Sequence, residues 1–451
     1  MMLLSRHIRK EAQNDNSYTR ARWCYQYISS GIDFGHEKIS HGPLFSSCSR
    51  RKRWTPWFTI MVSLLMVFDT SGTLRERFKA ARDCLSSVYG NRRRVGRTFE
   101  GFCYARSSVK SEDRLALSAH LRKQLRIVAG DFWKRLGFEA FAVDGSKIEL
   151  PRTRTNETAF GCAGRKKTCP QIAVTTLYHM GTGLPWDWRF GAGIESERAQ
   201  LRDLLGSLKA GSLLVADAGF AGYELLQGIV GQGKHFLFRV GSNVTLLKNM
   251  GFDTKICGDV VWLWPRNKRK QEPLRLRLIC VQTDKIPVYL ITDMFDRELL
   301  SDETAAVLYK MRWGVEVFYR NFKRTLDKHK LKSRSPQMAL DELHWAMTAY
   351  LLLGLMSIEG MITAGTDPLE LSFAAALRQV RTAMQSRSCW RYNGDLRKLL
   401  AMASKDKYCR KYSRKARNWP HKKNDPPCGI PKIRAATLKE SHYAQRFYSA
   451  A

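Results

Sequence analysis

Residues 139–146 read EAFAVDGS, and the fold is decided by how that stretch is interpreted. Glu139 to Val143 is a short, mostly apolar run that stops on Asp144 and continues into the small residues Gly145 and Ser146. A run of that length bounded by turn-forming residues predicts a strand covered on both faces. The pattern returns at residues 212–219, SLLVADAG, where Ser212 to Ala216 forms the strand and Asp217 closes it. Between the two, Ile172 to His179 (IAVTTLYH) and Trp186 to Phe190 read as further strands and Arg198 to Leu208 as a helix. Alternating strands and helices predict an α/β fold with a central sheet, and ligands of such sheets gather at the strands' carboxyl ends. Either aspartate alone could serve equally well as a turn former or helix cap. Two of them at equivalent strand ends point to a site.

A third acid joins them from a helix. Tyr309–Lys323 reads YKMRWGVEVFYRNFK. Wound at roughly 100° per residue, Tyr309, Arg312, Glu316, Arg320 and Lys323 share a stripe on the order of 80° wide. Met311, Val315, Phe318 and Phe322 fall opposite, where they can pack into a core. The plain reading is a surface helix with i,i+4 ion pairs from Arg312 to Glu316 and from Glu316 to Arg320. The two strand-end aspartates favour a different one. Three carboxylates form a hard, all-oxygen set suited to Mg²⁺ or Mn²⁺ rather than zinc. Two such ions about 4 Å apart can act together on one phosphate, with neighbouring cations holding the backbone.

The rest of the chain is compatible with a polyanionic partner. Lys plus Arg number 76 against 41 Asp plus Glu in 451 residues, a formal charge of +35. Nucleic acid is the expected partner, because neutralising phosphates releases counterions. The eleven cysteines form no CxxC pair, which argues against a zinc ribbon or thioredoxin-like site, and their odd number in a long chain argues for reduced thiols inside the cell; with nucleic acid as partner, the expected location is the cytoplasm, associated with the nucleoid. Trp57 to Phe68 is too short for a membrane span, and Trp345 to Ala364 is interrupted by Glu359, Gly354 and Gly360, so no membrane role is expected. No Walker-type loop and no serine elbow is present. His179 and His235 read as satisfied histidines rather than ligands.

The expected organisation is a basic extension over residues 1–55, ending in Arg50 to Arg53, followed by a helical DNA-binding region over 56–130 that includes the basic stretch Asn91 to Arg97. The first part of the α/β core occupies 131–230 and a β-rich insertion 231–300. In the insertion, Leu274 to Leu278 alternates as if one face were wet and basic. The second part of the core follows over 301–385, and a basic, loop-like region over 386–451 includes Asn418 to Pro427. A basic cluster at Arg165 to Lys167 reads as a solvent- or DNA-facing loop.

The spacing Tyr-x2-Arg-x3-Glu-x6-Lys, met by Tyr309, Arg312, Glu316 and Lys323, resembles the signature of the DDE transposases of the bacterial insertion sequence family four. Val143 to Ser146 and Ala216 to Phe220 look like that family's two aspartate motifs, and the order Asp, Asp, Glu also agrees. The separations are 73 residues (217 − 144) and 99 residues (316 − 217), the second long enough for an insertion. The resemblance covers about residues 135 to 340 and weakens in the basic tail, where Trp419 to Lys423 stands.

This resemblance implies an RNase H-like catalytic core interrupted by a β-rich insertion. Asp144, Asp217 and Glu316 would be its catalytic metal ligands, binding two Mg²⁺ (or Mn²⁺) ions. It further implies that Tyr309, Arg312, Arg320 and Lys323 contact DNA. The activity implied is cut-and-paste transposition, with cleavage at the inverted repeats that end a mobile element and joining to target DNA, by a homodimer on the DNA. An RNase H-like nuclease and an inactive DNA-binding relic are the alternatives. Some relatives hold a flipped base on a tryptophan of the insertion; for Trp262 and Trp264 core packing is the expected role.

Overall fold

The computed structural model describes residues 53–69, 72–89, 95–162, 169–251, 259–283, 286–385, 396–405 and 428–448. The expected roles of Arg50 to Lys52, Asn91 to Arg94, Arg165 to Lys167 and Asn418 to Pro427 fall outside these residues. The chain divides into two compact units. One comprises Met1–Trp133, Ile148–Ile172 and Tyr319–Asp406, and the other Lys134–Lys147, Ala173–Phe318 and Lys407–Ala451.

The first unit is helical. Its early helices are α1 (Pro56–Phe68), α2 (Leu74–Tyr89), α3 (Phe99–Ser107), α4 (Ser111–Ala129) and α5 (Arg154–Phe160). Local chemistry sets their starts: the Thr55 and Thr98 hydroxyls accept from the amides of Phe58 and Gly101, satisfying helix-end donors that would otherwise go unmet. Trp54, Phe78, Phe99 and Phe102 form an aromatic cluster, and a Cβ on Gly96 would overlap the Trp54 ring.

The long helix α10 (Pro336–Thr363) is apolar around its whole circumference, which suits a helix enclosed by protein. It is long and apolar enough to cross a membrane, yet 83% of its most apolar window is buried inside the structure. Each fully buried side chain on it, Leu351 and Leu355 among them, contributes roughly 1.5–3 kcal/mol. Tyr350 stacks on Phe373 of α11 (Phe373–Gln385), with ring centroids 3.8 Å apart. The short α12 (Leu396–Ala401) completes the unit.

One buried ion pair organises this unit's interior. Glu342, on α10, accepts from Lys328 Nζ at 3.3 Å, from the amides of Lys332 and Ser333 at 3.1 Å each, and from the Ser333 hydroxyl at 2.8 Å. Those donors outweigh the cost of burial and hold the Glu342 carboxyl below its usual range.

The second unit is built on one ten-stranded sheet in the order β10-β6-β7-β8-β9-β5-β4-β1-β2-β3. Its strands are β1 (Ala140–Glu149), β2 (Gln171–His179), β3 (Leu184–Ala192), β4 (Leu213–Ala216), β5 (His235–Val240), β6 (Thr245–Lys248), β7 (Val260–Leu263), β8 (Leu274–Val281), β9 (Val288–Thr292) and β10 (Lys432–Ala435). β1, β4 and β5 run parallel, whereas β5, β9, β8, β7 and β6 are successive antiparallel neighbours. The expected insertion strands therefore extend the same sheet. Its helices are α6 (Glu197–Leu204), α7 (Tyr223–Gly231), α8 (Asp302–Met311), α9 (Trp313–Arg320) and α13 (Leu438–Tyr448).

Two expectations are corrected here. Alternation in β8 predicts a wet basic face, but Arg277 is buried and donates to the Leu300 carbonyl at 2.6 Å and to Asp302. It ties β8 to the start of α8, so the arginine serves as an internal anchor. The end of the chain, expected to be loop-like, instead supplies β10, paired parallel to β6, and α13. Trp264 packs on Tyr443 and Phe447, and Trp262 on Tyr448. Both tryptophans are buried, as expected of core residues. His179 meets the Thr182 hydroxyl at 2.9 Å and His235 meets Asp293 at 2.7 Å, so both have partners.

Candidate active site

Parallel pairing aligns Ala140–Val143 of β1 with Leu213–Ala216 of β4, all of them buried. The next residue along each strand is an aspartate, so Asp144 and Asp217 stand side by side where the β1–β4 pairing ends; Asp217 follows the last residue of β4, but Asp144 lies inside β1, which runs on to Glu149 instead of stopping at Val143 as its sequence suggests. Each also shows the turn behaviour its sequence suggests. Asp144 Oδ1 accepts from the Gly145 amide at 2.9 Å, and Asp217 Oδ1 accepts from the Ala218 amide at 2.8 Å while capping a 3₁₀ turn, Ala218–Phe220. These local bonds help to orient the carboxylates.

The helical stripe reaches the same strand ends, though not as one uninterrupted helix. α8 ends at Met311, Arg312 forms a tight turn, and α9 begins at Trp313. Gly314 at this junction lies against Tyr178 of β2, whose ring carbon would be 2.7 Å from an added Cβ. Val315, Phe318 and Phe322 are buried as the helical pattern requires, and Met311 is half-buried. Tyr309 donates its hydroxyl to Asp217 Oδ1 at 3.2 Å, and Arg312 Nη2 donates to Glu316 Oε1 at 2.8 Å. Tyr309, Arg312 and Glu316 are thus gathered with the two aspartates. Arg320 ends α9 exposed, and Lys323 is half-buried in a π-helical turn, Asn321–Thr325; both are counted in the helical unit.

The electrostatics are those of a site short of positive charge. Burial pushes the Asp144 carboxyl up to about 6; the Gly145 amide and Arg312 oppose the rise, and the charges of Glu316 and Glu197 add to it. Burial, with the Asp217 charge beside it, pushes the Tyr309 phenol up to about 12, so it remains a hydrogen-bond donor at neutral pH. Arg312 is nine-tenths buried and its Nε finds no acceptor among the described residues. Burial works against its charge, but Tyr309, Asp217 and Glu316 outweigh that and raise its pKa.

Two residues that the sequence reading passed over also belong here. Arg239, on β5 next to β4, has Nη1 at 3.8 Å from Asp217 Oδ1. Glu197 opens α6, and a Cβ on Gly145 would overlap its carboxyl group. Arg239 carried a faint signal as the one charge in the apolar run of its strand; Glu197 carried none, because its position depends on a helix returning across the sheet. Among the described residues, no three carboxylate, histidine or cysteine groups converge tightly enough to close round an ion as they stand. The donor chemistry nevertheless fits a hard divalent cation: oxygen ligands only, with one acid raised in pKa by burial beside like charges.

Comparison with known proteins finds likenesses centred on this part of the chain. A family model described as a transposase DDE domain matches residues 135–352. The transposase InsG for insertion sequence element IS4 of Escherichia coli (strain K12) is 25% identical over 259 residues, covering 54% of this chain and 58% of that protein. A transposase relative from insertion sequence element IS4SA of Synechocystis sp. is 24% identical over 207 residues, covering 44% of this chain and 57% of that protein. The chain therefore spans less than two thirds of the length of these curated relatives. A piggyBac transposase synaptic complex with hairpin DNA aligns at a TM-score of 0.38 with 11% identity, over 85% of this chain and 82% of that one, too distant a likeness to define the fold.

Proposed function

We propose that this chain is a DNA transposase with an RNase H-like core, cutting at the inverted repeats of a mobile element and joining the freed 3′ end to target DNA. Asp144, Asp217 and Glu316 would hold Mg²⁺ or Mn²⁺, two ions per site. The observation that carries the reading is the juxtaposition of Asp144 and Asp217 where the parallel pairing of β1 with β4 ends, with the charge of Glu316, from α9, acting on Asp144. The transposase DDE family match over residues 135–352 supports it. When bound, divalent ions supply Lewis-acid activation of the attacking oxygen and stabilise the leaving one.

The protein's own groups have separate tasks in this reading. Arg312 now neutralises Glu316; once that carboxylate turns toward a cation, the guanidinium has two edges for phosphate oxygens, one of them the Nε that lacks an acceptor. Tyr309, kept protonated, donates its single O–H to Asp217 and would have to turn it away from that carboxylate to donate to a phosphate oxygen instead. Arg239 stands where it can screen Asp217. Arg320 and Lys323 would add phosphate contacts along the DNA, and the excess positive charge of the chain would hold the rest of the duplex. A homodimer pairing two element ends, acting in the cytoplasm on the nucleoid, completes the proposal.

The test uses purified full-length protein, Mg²⁺ and DNA carrying the inverted repeats that flank the gene. End-specific nicking followed by strand transfer is expected, and Asp144→Asn, Asp217→Asn or Glu316→Gln should each lower cleavage about a thousandfold or more while DNA binding persists. Cleavage without joining would mark a nuclease, binding alone an inactive relic, and undiminished cleavage by any variant would remove that residue from the site.

A further inference from the structure

The helical unit contains a cavity of about 20 Å³ whose wall includes Ser63 of α1, Arg77 of α2, Arg106 of α3, Lys328, and Glu342 and Trp345 of α10. Since roughly 10–15 Å³ suffices for one water molecule, there is room for a single guest of about that size and not for a whole phosphate group. The charged residues of the wall are all withdrawn from water: Arg77 is 1% exposed, Arg106 7%, Lys328 3% and Glu342 6%. Three buried cations thus share the wall with one buried acid.

Two of the three cations have acids of their own. Lys328 Nζ donates to Glu342 at 3.3 Å, and Arg77 Nη2 donates to Asp327 at 3.3 Å. Glu342 is engaged further by Lys332 and Ser333. Arg106 differs. Its guanidinium lies over the Phe102 ring, 5.7 Å from the centroid, a contact that uses its flat face and leaves the N–H edges. No hydrogen bond or ion pair from the described residues engages its side chain. Asp341, whose carboxyl feels the charge of Arg106, already accepts from Arg114 at 3.1 Å and from Gln337 at 3.3 Å. A cation in the last turn of α3 suits the helix dipole, but that attraction is weak and does not offset the withdrawal of a guanidinium from water.

A second donor in the same wall lacks an acceptor: Trp345 Nε1–H is buried and unbonded among the described residues. Burial, reinforced by the charge of Arg77, holds the Lys328 ammonium below its ordinary value although Glu342 pulls it up. The wall therefore carries more positive charge and more donors than its acid satisfies. A water molecule could accept from these donors, yet it would leave the charge uncompensated.

We infer that this cavity binds a small monovalent inorganic anion of the halide class, held by Arg106 and the Trp345 N–H and flanked by Arg77 and Lys328. The anion ties α3 to α10 inside the helical unit. None of these residues takes part in the cleavage proposed above.

The test is the thermal unfolding midpoint of the full-length protein without DNA, titrated with sodium bromide against sodium gluconate at constant ionic strength. Gluconate carries the same charge but is too large for the cavity. Bromide is expected to raise the midpoint progressively, as a ligand bound only by the folded state does. Arg106→Gln should weaken the apparent bromide affinity at least about tenfold, through loss of a charge-assisted hydrogen bond. Trp345→Phe keeps an aromatic ring and removes the N–H, so a smaller weakening is expected. Circular dichroism checks that each variant folds; if Arg106→Gln does not, Trp345→Phe and the crystal decide. Bromide-soaked crystals should show an anomalous scattering peak beside Arg106. A parent midpoint indifferent to bromide would overturn the inference. So would an equal rise in the parent and the folded variants with no peak beside Arg106, the mark of an adventitious ion only, bound across the basic surface.

Discussion

Glu342 in the helical unit and Asp144 in the sheet unit are both largely withdrawn from water, and their carboxyl groups respond in opposite directions. Glu342 collects a lysine, a hydroxyl and two backbone amides, and stays below its usual range despite burial. For Asp144 burial prevails over the Gly145 amide and Arg312, and the carboxyl rises to about 6. Burial is common to the two; what differs is whether the neighbouring donors outweigh it. Carboxyl groups shifted upward by burial beside like charges are characteristic of sites that do chemistry, whereas Glu342 shows the pattern of an internal anchor.

The contrast can be broken most severely at Glu342. Glu342→Ala strands the Lys328 ammonium in the interior, and a loss of about 3–5 kcal/mol in denaturant unfolding is expected. Adding Lys328→Met should recover part of that loss; no loss in the single variant would mean that the pair is not what holds this region together.

A smaller effect is expected from pH. Asp144 binds its proton more tightly folded, at about 6, than at its ordinary value of 3.8. Its contribution therefore favours the folded state at low pH and is lost as pH rises from about 4 to about 6, by roughly 2–3 kcal/mol. Glu342 has the opposite sign: its folded value lies below the ordinary 4.5, so its stabilisation is present above that pH and disappears on acidification. Unfolding midpoints in chelator between pH 4 and pH 7 should show the Asp144→Asn variant gaining on the parent across that window; parallel curves would refute the assignment.

The smallest effect belongs to an exposed pair. Arg75 and Glu100 meet at 2.6 Å with side chains 68% and 66% exposed. Arg75→Ala should leave the denaturant unfolding midpoint within the scatter of the parent's, as water and salt screen the partner left behind. A larger loss would show that proximity alone, without burial, carries energy in this protein.

The acids of the proposed centre were legible because local sequence encodes them. An apolar run that stops on an aspartate marks Asp144 and Asp217, and helical periodicity sets Glu316 on the face of Tyr309 and Arg312. Glu197 was not legible, since its charge reaches Asp144 only through the path of a helix that starts 53 residues later (197 − 144). Arg277 was misread for a related reason. Alternation along β8 says which residues share a face but not what covers it, and here α8 does, with Asp302 waiting for the guanidinium. The break at Arg312 was likewise hidden, because periodicity over five residues barely registers one tightened turn. The strand and helix near the end of the chain were obscured by basic composition; their apolar content, Tyr443, Phe447 and Tyr448, finds its purpose only against Trp262 and Trp264.

Strand β10 has a consequence for how the molecule is made. Its partner β6 ends at Lys248, whereas β10 begins at Lys432, 184 residues later (432 − 248). At translation speeds of about 5–20 residues per second, β6 waits roughly 10–40 seconds on the ribosome for the neighbour that covers it. Throughout that interval its unpaired backbone is open to any other nascent strand, and the charge on Lys248 is one deterrent to such pairing. Synthesis cut short before residue 432 would leave the more buried β6 as the edge of the sheet in place of the exposed β10.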